Sequence, residues 1–189
     1  MATGKLIIFS APSGSGKTTI VKELLKIFPQ FEFSISATSR APRGQEQDGI
    51  DYFFLSQEEF QAKVKANEFV EWEEVYNGTC YGTLKSEMER IWSKGNVIIF
   101  DVDVMGGINL KRIFGENACS IFIMPPSVEV LRERLIGRGT DSAETIEKRV
   151  AKAAFEISKA DEFDNIVIND ILADAVAQTK VIIEEFLAK

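Results

Sequence analysis

The nine residues Ala11-Pro12-Ser13-Gly14-Ser15-Gly16-Lys17-Thr18-Thr19 constrain this chain more than any other feature. They follow an apolar run, Leu6-Ile7-Ile8-Phe9, and precede apolar positions at helical spacing, Ile20, Val21, Leu24, Leu25 and Phe28. A strand therefore feeds a glycine-rich turn that opens a helix, the context a phosphate-binding loop requires. Glycine lets successive backbone N–H groups converge on an anion where a Cβ would clash, and the helix N-terminus adds its positive dipole end. The pattern G-x-x-x-x-G-K-[S/T] is met except at its first position, where the small Ala11 stands for glycine. The chemistry implied is that of a nucleoside triphosphate, with Lys17 bridging the β- and γ-phosphates and the Thr18 hydroxyl serving Mg2+. A chance turn capping a helix is the bland alternative; the agreement of strand, loop and helix weighs against it.

The rest of the chain repeats the alternation. Val97-Ile98-Ile99-Phe100, Ile121-Phe122-Ile123-Met124 and Ile166-Val167-Ile168 read as strands buried on both faces, as in a parallel sheet. Amphipathic stripes fall between and after them, at Leu84, Met88, Ile91 and Trp92 and at Ile182, Ile183, Phe186 and Leu187. The pattern predicts a layered α/β fold with right-handed crossovers, and 189 residues suffice for one core carrying insertions. With 29 acidic against 22 basic side chains the net charge is -7, so any bound anion must be held by placed basic groups rather than by a bulk field. That disfavours nucleic acid and anionic membranes as partners. The chain has no histidine, which excludes a histidine-based triad and a histidine zinc site. Cys80 and Cys119 lie far apart in no metal-ligand spacing; they fit a reducing cytosol, with Cys119 as a small core hydrophobe. The first apolar run is too short for a signal peptide, and none approaches the roughly 18 residues of a membrane span, so a cytoplasmic protein is expected.

Two stretches interrupt the alternation. Between Phe33 and Tyr81, Arg40, Pro42, Arg43 and Gly44 read as loop and Asp51-Tyr52-Phe53-Phe54-Leu55 as a short strand. Ser56 and Glu59 form a capping box that opens a helix to about Ala66. This reads as an inserted α+β subdomain. Between Ser127 and Ala160, two helices flank Gly137-Arg138-Gly139-Thr140-Asp141-Ser142, where glycines on both sides of Arg138 suit a hinge that presents it to a ligand.

The phosphate loop, Ser36-Ala37-Thr38-Ser39-Arg40-Ala41-Pro42-Arg43-Gly44, Asp51-Tyr52, Glu68-Phe69-Val70-Glu71-Trp72, Tyr81-Gly82-Thr83 and Arg138-Gly139-Thr140 occur in the order found in guanylate kinases. From Leu6 to the C-terminal helix the chain resembles the single-domain bacterial-type members of that family. The resemblance implies a P-loop kinase core with a parallel sheet flanked by helices (1–34, 86–126 and 161–189). It adds an inserted α+β GMP-binding subdomain (35–85) and a helical lid (127–160), with insert and lid closing when both nucleotides bind. It implies transfer of the γ-phosphoryl of ATP to GMP, and to dGMP, giving ADP and GDP in purine nucleotide metabolism and GMP recycling, with Mg2+ as cofactor. ATP and GMP are then the partners, and a homo-oligomer is compatible with the chain.

The residues suit these roles. Arg40 and Arg43, in a loop pinned by Pro42, offer two guanidinium forks that with the phenols of Tyr52 and Tyr81 fit a terminal phosphate monoester, by resemblance that of GMP. The Glu71 carboxylate can accept from both N1–H and the 2-amino group of guanine, a donor pair adenine lacks; its alternative is plain surface charge beside Glu68, Glu73 and Glu74. Ser36 and Thr83 match family positions whose hydroxyls help read the base. Asp101 and Asp103 end a strand, where α/β sheets bind ligands, and being two apart they share a face. Asp101 follows four apolar residues, as a Walker-B aspartate does, and joins Thr18 as a candidate Mg2+ ligand. By resemblance Asp103 lies near the guanine. Which carboxylate serves which ligand is left open, and both could instead cap the turn before Gly106-Gly107.

The resemblance gives Arg134, Arg138 and Arg149 catalytic roles beside Lys17, closing over the triphosphate and spreading the charge of the group in flight. Helical pairing with Glu133 or Glu147 is their alternative. Residues Ala11 to Thr19 with Arg138 and Asn169 form the expected ATP-binding set, Asn169 and Asp170 edging the adenine. The acceptor is an ionised phosphate oxygen, so no strong general base is needed. Two rivals stand beside this reading: another P-loop enzyme, and a non-catalytic guanylate-kinase-like interaction module. The joint presence of Glu71, both phosphate arginines, Lys17, Thr18 and the lid arginines weighs against both.

Overall fold

Leu6, Ile7, Ile8 and Phe9 are fully buried, so the first strand is covered on both faces, as an unbroken apolar run requires. The structure is a computed structural model and describes residues 4–76, 78–137, 139 and 142–189. Strand β1 (Leu6–Ser10) leads through the glycine-rich turn into helix α1 (Lys17–Ile27) and the short strands β2 (Phe31–Phe33), β3 (Ala37–Thr38) and β4 (Phe53–Phe54). Helix α2 (Gln57–Lys65), strands β5 (Phe69–Tyr76) and β6 (Thr79–Leu84), helix α3 (Lys85–Trp92) and strand β7 (Val97–Asp101) follow. The chain continues through α4 (Val104–Phe114), β8 (Ala118–Met124), α5 (Val128–Gly137), α6 (Ala143–Ile157), β9 (Asn165–Ile168) and α7 (Leu172–Leu187). No helix among the described residues is long and apolar enough to cross a membrane.

The chain divides into two compact units, one of residues 1–4 and 32–98, the other of residues 5–31 and 99–189. One sheet has the strand order β2-β7-β1-β8-β9, with β1 parallel to β8 and β8 parallel to β9. In the second unit α4 packs on β1 and β8. Val104, Ile108, Phe122, Ala160 and Phe163 form one buried cluster there, and Leu131, Leu135, Ile146, Val150 and Ala153 join α5 to α6 in another. Each buried side chain of this size contributes about 1.5–3 kcal/mol. Cys80 and Cys119 are free and buried, and burial pushes the Cys119 thiol up to about 12, so it behaves as the core hydrophobe its apolar neighbours predict.

The first unit has its own sheet, in the order β4-β3-β6-β5, and its own core of Ala37, Phe60, Phe69, Cys80 and Leu84, with the rings of Phe60 and Phe69 stacked at a centroid separation of 4.5 Å. The capping box forms as the sequence predicts: the Ser56 hydroxyl accepts from the Glu59 N–H, and the Glu59 carboxylate accepts from the Ser56 N–H. The strand expected over residues 51–55 is shorter and covers only Phe53–Phe54. Side-chain carboxylates compete for the backbone there, since Asp51 accepts from the Gln47 N–H and Asp48 from the Phe54 N–H. The sequence pattern did not predict the β5–β6 hairpin, the largest feature of this unit.

Candidate active site

The phosphate loop is built as its sequence requires. Gly14 and Gly16 have φ of 98° and 87°, a region that favours glycine. A Cβ on Gly16 would stand 2.3 Å from Asn169 Nδ2, which itself donates to the Ser15 carbonyl at 2.7 Å. No side chain caps the N-terminus of α1 and no acidic residue lies in its first turn, so its N–H groups and dipole remain for an anion. Among the described residues the buried Ser15 hydroxyl has no partner, one more polar group suited to a ligand oxygen. A cavity of about 410 Å3 opens here, lined by residues from Ala11 to Thr19 together with Asp101, Asp103 and Glu156.

Lys17 is held at the pocket by the Asp101 carboxylate and, at 3.0 Å, by the Val102 carbonyl. Asp103 does what the bland reading of a strand-end carboxylate describes: its side chain caps α4 by accepting from the Gly106 N–H at 2.8 Å. The hard oxygens of Thr18 and Asp101 fit a Mg2+ ion that takes its other ligands from phosphate and water. Among the described residues no cluster of three or more metal-ligating side chains stands by itself. Burial raises the carboxyl of Glu156, which Lys152 approaches at 3.5 Å.

Two of the three arginines expected in a lid are described, and they make different contacts. Arg149 Nη1 donates to the Ser13 hydroxyl at 3.1 Å. Arg134 Nη2 donates to the Asn169 carbonyl at 3.0 Å, beside a hollow of about 430 Å3 that Gly14, Gly16, Thr19 and Leu172 also line. Glu147, a candidate partner for the lid arginines, pairs instead with Arg132. Asn169 is buried, and its amide braces the loop through Ser15. Arg138 lies outside the described residues, as do Thr140 and Asp141.

In the other unit, Glu71 and Thr83 face each other across β5 and β6, and the Thr83 hydroxyl donates to Glu71 Oε1 at 2.8 Å. A register shift between Phe69 and Glu71 inserts Val70 as an extra residue, and such a bulge re-aims the side chains beside it. Gly82 is required next to this pair, because a Cβ there would lie 2.7 Å from the Glu71 carbonyl. The neighbouring acids are otherwise engaged, Glu68 with Lys63 and Glu74 with the Gly78 N–H, each at 2.7 Å. Ser36 is half-buried and its carbonyl accepts from the Phe53 N–H.

Arg40 lies over the Tyr52 ring at 5.0 Å and donates from Nε to the Tyr81 hydroxyl at 3.0 Å. Burial pushes the Tyr52 phenol upward, so it stays an O–H donor at neutral pH. Arg43 follows in an exposed loop. Arg40, Tyr52 and Tyr81 thus come together in space from three separate segments.

A family model described as guanylate kinase matches residues 3–186. The chain belongs to the guanylate kinase family. A guanylate kinase of Bacteroides thetaiotaomicron is 56% identical over 187 residues, which is 99% of this chain and 92% of that protein. One of Porphyromonas gingivalis is 55% identical over 186 residues, covering 98% of this chain and 99% of that protein. The crystal structure of guanylate kinase from Anaplasma phagocytophilum aligns with a TM-score of 0.74 at 30% identity, covering 98% of this chain and 87% of that one. The fold is the P-loop kinase fold, and the activity is that of a guanylate kinase, an ATP:GMP phosphotransferase. The rival readings, another P-loop enzyme or a non-catalytic module, give way.

Two residues that the motifs did not single out sit in these sites. Glu156 lines the phosphate pocket from α6, where its helical spacing gave no sign of it. Glu46 pairs with Arg40, and a carboxylate three residues beyond Arg43 was the available signal.

Proposed function

We propose that residues 35–85 hold GMP, that the phosphate loop with the 127–160 lid holds Mg·ATP, and that dGMP is accepted as well as GMP. The observation that carries the base assignment is the hydrogen bond that fixes Glu71 through Thr83. A carboxylate so held can accept from the N1–H and 2-amino donors of guanine, with Ser36 beside the base. Adenine presents an acceptor at N1 and would leave the charge unpaired. Asp103 is the weaker candidate for the base, its carboxylate being engaged as a helix cap. Arg40, Arg43, Tyr52 and Tyr81 take the phosphate of the nucleoside monophosphate.

A GMP phosphate oxygen attacks Pγ in line, the bond from Pγ to the β–γ bridging oxygen breaks, and that oxygen leaves on ADP. Lys17 exchanges Asp101 and the Val102 carbonyl for phosphate oxygens, which frees Asp101 to join Thr18 as a Mg2+ ligand. Bound Mg2+ supplies charge neutralisation at the phosphate oxygens. Arg149, already at Ser13, with Arg134 and Arg138, spreads the charge of the transferring group. Asn169 holds the loop in shape and edges the adenine. A reducing cytoplasm suits the two free cysteines.

The test separates the two nucleotides. Lys17→Ala should lower kcat by about 100-fold or more, the scale of losing one transition-state charge donor, while the calorimetric Kd for GMP moves less than about twofold. Equal loss of GMP affinity and turnover would contradict the assignment of Lys17 to the ATP side.

A further inference from the structure

The Arg40 guanidinium is engaged before any phosphate arrives. Nη1 donates to Glu46 Oε2 at 2.6 Å and to the Ala41 carbonyl at 3.0 Å, Nη2 donates to Glu46 Oε1 at 2.8 Å, and Nε donates to the Tyr81 hydroxyl at 3.0 Å. These contacts use all but one of the five N–H groups a guanidinium carries, leaving one on Nη2. The parallel fork to Glu46 is the strong bidentate geometry of arginine and carboxylate. Glu46 also accepts from the Arg43 N–H at 2.7 Å, so one carboxylate ties together the two arginines assigned to the GMP phosphate. The Arg40 side chain is only 10% exposed, and the hydrogen bonds from Arg40 and Arg43 pull the Glu46 carboxyl down to about 2.

Two functions are conceivable for such a carboxylate. It could stand in for the phosphate and be displaced by it, or it could stay and hold the arginine. Displacement would give up three hydrogen bonds and leave an ionised carboxylate beside a phosphate dianion. Retention requires only that the phosphate use the remaining Nη2 proton, the Arg43 guanidinium and the phenols. We infer that Glu46 is a positioning residue for GMP: it stays paired with Arg40 and fixes its guanidinium and the Arg43 backbone where the monophosphate docks. This rests on the assignment of Arg40 and Arg43 to the GMP phosphate.

Glu46→Gln keeps the size of the side chain but turns one acceptor into a donor facing a guanidinium N–H. The tests are steady-state kinetics, GMP calorimetry and thermal melting on Glu46→Gln, Arg40→Lys and the double variant. Loss of a charge-assisted contact predicts a rise in the Kd and KM for GMP of about tenfold or more, with the KM for ATP held, kcat at saturating GMP nearly so, and a melting midpoint that falls at neutral pH but stays above the assay temperature. Because Glu46 acts through Arg40, adding Glu46→Gln to Arg40→Lys should bring little further loss. Tighter binding of GMP or inorganic phosphate by Glu46→Gln would mean that the carboxylate competes with the phosphate, and would overturn the inference. So would unchanged GMP affinity, or fully additive effects in the double variant. If Arg40→Lys and Arg43→Lys both leave GMP affinity unchanged, the phosphate-site assignment itself fails and the inference falls with it. If they weaken GMP binding and Glu46→Gln does not, only the role of Glu46 is lost.

Discussion

Replacing Glu71 by glutamine removes a charge without removing volume, and its effect can be worked out from one contact. The Thr83 hydroxyl donates to Glu71 Oε1 at 2.8 Å, so the side chain cannot turn without losing that bond. If the new amide keeps its oxygen toward Thr83, its NH2 faces the N1–H and 2-amino donors of guanine and both hydrogen bonds are lost. If it flips, an oxygen still faces guanine but as a neutral acceptor. Charged hydrogen bonds contribute about 1.5–3 kcal/mol each and neutral ones about 1 kcal/mol, so losing both costs about 3–6 kcal/mol, weakening both to neutral bonds costs about 1–4 kcal/mol, and the two orientations bracket a loss of about 1–6 kcal/mol. That corresponds to a fall of about 5-fold to about 10,000-fold in kcat/KM for GMP. AMP responds in the other direction, because its N1 lone pair no longer meets a carboxylate and can accept from the amide. The ratio of the two specificity constants should therefore shrink by more than the GMP loss alone. Coupled ADP-release kinetics with GMP and with AMP measure it. A fall in activity that leaves the ratio within about twofold of its starting value would refute the reasoning, since it would assign Glu71 to the fold rather than to the base.

Gly16→Ala should place its Cβ 2.3 Å from Asn169 Nδ2 at a φ of 87°, straining the loop by about 1–3 kcal/mol. The expected outcome is a KM for ATP raised about tenfold or more with the GMP Kd unchanged, and a normal KM for ATP would contradict it. Glu32 gives a pH-dependent stability test. Burial pushes its carboxyl up, but hydrogen bonds from Lys94, Arg90 and Asn96 outweigh that and bring it from near 4.5 down to about 2. A carboxyl depressed in the folded state stabilises above its unfolded value and loses that contribution as pH falls from about 4.5 toward 2. Glu32→Gln should thus melt about 2–6 °C below the parent chain at pH 7, for a network contributing about 1–2 kcal/mol, with the gap closing by pH 2. A gap independent of pH would show that the ion pairs are not its source.

The elements proposed to carry ATP were legible because they obey local rules. An unbroken apolar run must be a strand buried on both faces, and Gly14 and Gly16 mark a turn few other residues could make. The four core strands and the Ser56–Glu59 cap followed from the same reasoning. The GMP side was harder to read because its contacts are non-local. Arg40 and Tyr81, which meet beside Tyr52, lie 41 positions apart in the chain, and the position of Glu71 depends on a bulge at Val70 that the residue order does not announce. Asn77-Gly78 was the overlooked sign, since that dipeptide between two β-prone stretches favours a hairpin. Asp103 illustrates a different difficulty. A strand-end carboxylate three residues before a Gly-Gly pair serves equally as a ligand or as a helix cap, and the Gly106 N–H at 2.8 Å distinguishes them. Glu46 is hard to read from the residue order because two arginines in a loop do not say which acid will pair with them.

The central claim is that this chain moves the γ-phosphoryl of ATP to a guanine nucleotide and reads the base with Glu71. The most direct measurement is ADP release from Mg·ATP with GMP, dGMP, AMP, CMP and UMP offered separately as acceptors. Turnover confined to GMP and dGMP is the predicted result. Comparable turnover with AMP or a pyrimidine nucleotide, or release of ADP that does not depend on an acceptor, would contradict it.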